Sequence, residues 1–208
     1  MAASPRSQTP KGNGIGLGLK VGLNFADVTG ASDLNTSSLA GFNLGIFLAP
    51  HSKGIIGSRT ELVYSKHGYN YASDTANGSV NLDYIMLCQY MAIHITKFVE
   101  IDIGGQTAYL LSVKVDSTAK SMGGSSNSST SSLLSYYNRF DYGYGVGAEV
   151  HPFMGICLGA RYSVSLNNLY KNLYSGSMTP GQQPSFVPSM PSIDLKNNVV
   201  QIYLGYRF

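Results

Sequence analysis

Tryptophan is absent from this 208-residue chain, cysteine occurs only twice, and charged residues make up just 12% of it. The net charge of +3 is dispersed, with no Lys/Arg stripe to track phosphates, so nucleic acid is not an expected partner. Cys88 and Cys157 lie far apart with no metal-ligand spacing around them; two free thiols are expected, Cys88 facing outward and Cys157 inward. No apolar run approaches the roughly 18 to 20 residues of a membrane-spanning helix, which excludes a helical membrane protein. Residues 1–14, MAASPRSQTPKGNG, lack the roughly 7- to 15-residue apolar core of a secretory signal and read as a disordered segment. An export signal is expected to have been removed or to lie upstream. Phosphate-binding glycine motifs are missing too: the series from Gly12 to Gly22 does not fit G-x-G-x-x-G.

Glycine and tyrosine are abundant, at 24 and 15 copies, and their placement is regular. Between Phe140 and Val150 the residues Phe140, Tyr142, Tyr144, Val146, Ala148 and Val150 alternate with Asp141, Gly143, Gly145, Gly147 and Glu149. A turn at His151-Pro152-Phe153 follows, and the period of two resumes with Ile156, Leu158, Ala160, Tyr162 and Val164. This is a two-faced β-hairpin. Its non-apolar face carries Gly, Ser and single charges rather than the Lys, Thr and Glu of a solvated sheet, which suits a crowded lumen.

The same pattern recurs along the chain. Strands are expected at Ile15–Phe25, Gly41–Ala49, Ile55–Lys66, Val80–Ile95, Phe98–Val113, the two arms of the hairpin, and Asn198–Phe208. In the fourth, apolar on both sides in places, Leu82, Tyr84, Met86 and Tyr90 are placed outward. Long loops near residues 26–40, 67–79, 114–137 and 167–197 alternate with short turns at Pro50–Gly54, Thr96-Lys97 and His151–Phe153. Alternating long and short connections, apolar outside and polar inside, predict an all-β fold: an eight-stranded antiparallel up-and-down transmembrane β-barrel over residues 15–208. A soluble calycin-like ligand-binding barrel would show the opposite polarity.

Strand parity places Lys20, Arg59, Arg139, Arg161 and Arg207 in the lumen with Glu61, Glu100, Asp102, Asp141 and Glu149. An eight-stranded lumen is wide enough only for side chains, so this charge network is expected to form a plug of ion pairs; a proton or ion path is the functional alternative. Tyr64, Tyr84, Tyr109, Tyr142, Tyr162 and Tyr206 are expected as an aromatic girdle. Leu204, Tyr206 and Phe208 have the outward aromatic pattern of a signal for the outer-membrane insertion machinery. Of the scattered His51, His67, His94 and His151, only His67, expected at the loop rim near Asp74, is a candidate for loop-site catalysis. No catalytic, cofactor or metal site is otherwise expected, and the protein is not expected to be an enzyme.

The segments GLKVGLNFADVTG (Gly18 to Gly30), GFNLGIFL (Gly41 to Leu48), ELVYSKHG (Glu61 to Gly68), LDYIMLCQY (Leu82 to Tyr90), FDYGYGVGAEV (Phe140 to Val150) and ARYSVSLNNL (Ala160 to Leu169) resemble the PorT-type, porin-family outer-membrane β-barrel proteins of Bacteroidetes. The resemblance implies an eight-stranded barrel in the outer membrane of a Gram-negative envelope, with a link to protein secretion as one branch of the family; a monomer in contact with lipid and the insertion machinery is expected, with secretion or envelope proteins as candidate partners. The expected role is a structural or loop-mediated binding component of the envelope with a plugged lumen. A small-solute porin and a loop-site enzyme are the alternatives.

Overall fold

The computed structural model describes residues 16–29, 35–50, 54–72, 76–119, 125–127, 134, 137–153, 155–169 and 196–208. Its strands are β1 (Leu17–Thr29), β2 (Asn35–Leu48), β3 (Ile56–Ala72), β4 (Ala76–His94), β5 (Val99–Ala119), the short β6 (Ser125–Asn127), β7 (Phe140–Phe153), β8 (Ile156–Ser165) and β9 (Lys196–Arg207). All neighbours are antiparallel, and β1 closes the sheet by pairing with β2 on one side and β9 on the other, so that Val21 lies opposite both Leu44 and Leu204. The result is a closed eight-stranded antiparallel barrel, with β6 attached only to β5. Closure gives every strand two partners, which is what lets a sheet cross a hydrocarbon layer.

The outer face is apolar. Leu17, Leu19, Val21, Leu23 and Phe25 of β1, Leu44 and Ile46 of β2, and Ile202, Leu204 and Tyr206 of β9 are all exposed, while Lys20 and Asn24, between them in β1, are buried. Small inward residues make room for large ones opposite. A Cβ on Gly18 would overlap the Phe47 ring, and one on Gly159 would overlap the Tyr203 ring. Gly155, at φ 82°, makes the tight β7–β8 turn in a conformation that favours glycine.

Three features depart from expectation. In β4 it is Leu82, Tyr84, Met86, Cys88 and Tyr90 that are buried, whereas Ile85, Leu87 and Met91 are exposed. The parity follows from pairing: Leu62 lies outward and opposite Leu87, and residues paired directly across a sheet share a face. Cys88 is therefore a lumen residue, as is Cys157, and Tyr84 does not belong to an outer girdle. Second, much of the expected loop at 26–40 and most of that at 67–79 is strand, and β5 runs on to Ala119. Where side chains are described in these stretches, Ser38, Lys114 and Asp116 are exposed, which interrupts the apolar alternation without interrupting the ladder. Residues 1–14, 170–195 and most of 120–136 lie outside the described residues. Third, β5 carries a bulge: Asp83 pairs with Ser112 and Tyr84 with Leu110, leaving Leu111 unpaired and outward. The extra residue resets the alternation, so Val113 and Val115 turn inward.

The interior has two halves. Toward the short turns it is lined by charged and polar groups. Toward the long connections it is an apolar cluster that includes Tyr69, Val80, Leu82, Leu110, Val113, Val115, Tyr137 and Leu169.

Candidate functional site

Seven of the ten expected lumen charges converge. Arg59 and Arg161 project from β3 and β8, Lys20 from β1, Glu61 from β3, Glu100 and Asp102 from β5 and Glu149 from β7. Arg161 holds Glu61 through two hydrogen bonds of 2.8 and 3.0 Å and reaches Asp102 at 3.1 Å. Lys20 donates to the same Glu61 at 2.7 Å. Arg59 forks onto Glu149, with Nη2 to Oε1 at 2.6 Å and Nη1 on Oε2, and lies 3.3 Å from Asp102. Aromatic faces complete the packing: Tyr90 lies 3.8 Å from the Arg161 guanidinium and Tyr203 lies 4.2 Å from Lys20 Nζ. The Tyr203 hydroxyl donates to Glu149 at 3.0 Å. Charge-assisted forks of this kind hold the guanidinium planes in fixed orientations.

The other three expected members stand apart. Arg139 is exposed and donates to the Tyr109 hydroxyl at 3.2 Å; it sits in a bend ahead of β7, where strand alternation does not yet apply. Arg207 is half-buried and lines the short-turn mouth without an ion pair, because β9 ends there and its side chain reaches the rim rather than the centre. Asp141 faces inward but is half-buried near the loop end, accepting from Ser165 Oγ at 2.6 Å and forming no ion pair among the described residues.

Beyond the ion pairs lies a neutral polar chain. Asn43 donates to Asn24 Oδ1 at 2.7 Å, Asn24 donates to Ser65 Oγ at 2.8 Å, Ser65 Oγ meets His67 Nε2 at 2.8 Å, and Asn197 Nδ2 meets His67 Nδ1 at 3.0 Å. His67 thus lies inside the lumen, stacked near Tyr84, rather than at the loop rim; Asp74 is outside the described residues. With Asn197 as donor, His67 Nδ1 accepts and its Nε2–H donates to Ser65, the wrong tautomer to withdraw a proton from the hydroxyl. Ser65 is 0% exposed and His67 4%, so no substrate reaches them.

The short-turn mouth opens into a vestibule of about 450 Å³ lined by Arg59, His94, Glu100, His151, Cys157 and Arg207, among others. His94 Nε2 lies 3.2 Å from Glu100 Oε2, and His151 Nε2 lies 3.7 Å from Glu100 Oε2 and 3.2 Å from Glu149 Oε1. His151, placed by the sequence in the turn at His151–Phe153, is half-buried at the end of β7, where it shares a face with Glu149 two residues earlier. Strand parity taken one strand at a time does not show this cluster, since it joins the ends of β4, β5 and β7.

Comparison with known proteins places these features. The chain is similar in structure to Ail, the attachment invasion locus protein of Yersinia pestis, with TM-score 0.50 and 15% identity over 93% of this chain and 99% of that one. It is likewise similar to Neisserial surface protein A, with TM-score 0.52 and 12% identity over 92% of this chain and 97% of that one. At such identities the likeness concerns the fold. No curated protein sequence matches. The family model described as outer membrane protein beta-barrel domain matches residues 4–171. The chain belongs to the outer membrane protein β-barrel domain family.

Proposed function

We propose that this protein is a non-conducting, monomeric outer-membrane barrel that serves as a binding component of the cell envelope, acting through the part of the barrel that stands clear of the lipid. One observation carries the reading. Strands β3, β4 and β5 are 17, 19 and 21 residues long, whereas about 9 to 11 tilted residues suffice to cross a bilayer. The excess lies on the long-connection side, where Tyr69, Val80, Val113 and Val115 give it a buried apolar core. A pure membrane anchor gains nothing from a packed extension outside the bilayer.

The charge network supports a shut lumen, since Arg59, Glu61, Asp102, Glu149 and Arg161 are each at most 2% exposed. The inaccessibility of Ser65 and His67 supports a role without chemistry of its own. Leu204, Tyr206 and Phe208 are exposed along the last strand, in keeping with recognition by the insertion machinery. The PorT-type resemblance supports an envelope assembly, with protein secretion as the process it serves.

In-cell photocrosslinking tests this reading. A crosslinker at Lys114 or Asp116, both exposed on the β5 extension, is expected to trap discrete protein adducts, while one at the lipid-facing Thr107 traps none. Equal absence of adducts at all three positions would refute it.

A further inference from the structure

The buried ion network is one cation short, and the shortfall is at the vestibule. Its carboxylates are Glu61, Glu100, Asp102 and Glu149, four in number, and its cations are Lys20, Arg59 and Arg161, three in number; every one of these side chains is at most 3% exposed. Glu61 has Lys20 and Arg161, Asp102 has Arg161 and Arg59, and Glu149 has the Arg59 fork. Glu100 has only a long ion pair with Arg59 and no hydrogen bond from any of the three. The nearest guanidinium nitrogen is 3.8 Å away, outside hydrogen-bonding distance, and Glu100 lies directly opposite Glu149 in the β5–β7 ladder. An uncompensated carboxylate beside a like charge is expensive to bury.

What faces Glu100 is a pair of imidazoles. His94 Nδ1 lies 3.2 Å from the Ile55 carbonyl, which can only accept, so Nδ1 carries the proton and the Nε2 lone pair of a neutral ring points at the Glu100 carboxylate. His151 Nε2 is buried and makes no hydrogen bond although two carboxylate oxygens are nearby. One atom each from Glu100, Glu149 and His151 fall within 4.8 Å of one another. For tetrahedral zinc with bonds of about 2.0 to 2.2 Å, ligand atoms are separated by roughly 3.3 to 3.6 Å. The two nitrogen-to-oxygen distances within this trio are 3.2 and 3.7 Å, while His94 Nε2, 3.2 Å from Glu100 Oε2, stands outside it.

We propose that Glu100, Glu149 and His151 bind one divalent cation of the zinc class at the short-turn mouth of the barrel, with water completing the coordination and His94 flanking Glu100 from outside the trio. An imidazole nitrogen beside two carboxylate oxygens suits zinc over magnesium or calcium, which prefer oxygen alone. Arg59 stays on Glu149 as its outer-shell partner, since a carboxylate oxygen has lone pairs for both. The vestibule provides the entry path.

The test is a calorimetric titration of zinc chloride into the untagged, chelator-treated full chain folded in detergent micelles. One saturable site per chain is expected. His151→Ala should weaken binding by more than the roughly 10- to 100-fold that loss of an outer-shell partner costs, His94→Ala by no more than that, and the double variant should show no saturable binding. Both rings are partly exposed, so the heat-dependent gel shift that reports a folded barrel should persist in the variants. No saturable binding by the unaltered chain would overturn the proposal. Binding of equal affinity in the double variant would overturn it as well.

Discussion

Replacing Arg161 by Leu is the sharpest perturbation of the lumen. The guanidinium makes two bonds to Glu61 and one to Asp102, and it covers the Tyr90 ring. Its loss leaves Glu61 with Lys20 at 2.7 Å and a long contact to Arg59 at 4.0 Å, and Asp102 with Arg59 at 3.3 Å. The buried network then holds four carboxylates against two cations, Lys20 and Arg59. Removing one partner from a buried pair costs about 3 to 5 kcal/mol, because the remaining charge stays desolvated. At a urea slope of roughly 2 kcal/mol per molar, the unfolding midpoint should fall by about 1.5 to 2.5 M. With no tryptophan in the chain, the fraction of unboiled sample running as the compact form on an SDS gel is a convenient readout. Arg161→Lys keeps the charge but not the fork and should fall between the two. The double change Arg161→Leu with Glu61→Leu should recover part of the loss, since it removes the orphaned carboxylate. A midpoint within about 0.5 M of the unaltered chain for Arg161→Leu would refute the idea that these ion pairs hold the barrel together.

Other expectations follow from packing and facing. Gly159→Leu should destabilise by about 1 to 3 kcal/mol because its Cβ would overlap the Tyr203 ring, whereas Gly105→Ala, with nearest contact 3.7 Å, should stay within roughly 0.5 kcal/mol in the same urea series. In a Cys157→Ala background, Cys88 should resist a lipid-soluble maleimide until the barrel is unfolded, while a cysteine placed at Leu87 should label at once; the reverse result would restore the opposite parity for β4.

How far sequence alone reaches depends on the contrast between the two faces of a strand. In β1, aliphatics alternate with Gly, Lys and Asn, and the facing of Leu17 through Phe25 is legible without coordinates. In β4 the contrast vanishes because the lumen beside it is itself apolar, so Leu82, Tyr84 and Met86 inside look like Ile85 and Leu87 outside. Only the register with β3 separates them. That parity also hid His94 from the lumen. The charged residues of β3, β5, β7 and β8 could be read because a charge on a lipid-facing surface is costly, so Arg59, Asp102 and Arg161 had one place to go. Their partners could not: Arg59 with Glu149 and Arg161 with Glu61 join strands remote in sequence, as closure requires. Arg139 was misplaced because alternation holds only where the ladder has begun. The extensions of β3 to β5 lie beyond the apolar alternation that marks a strand in the sequence, although their backbones remain paired through Tyr71 with Gly78 and Ala76 with Ala119.

The central claim is a lipid-embedded barrel shut by its own ion pairs, and planar-bilayer recording of the purified, folded full chain tests it most directly. The account predicts no conductance above the bare bilayer from material that shows the heat-dependent gel shift. Sustained step-like openings from the same material would contradict it.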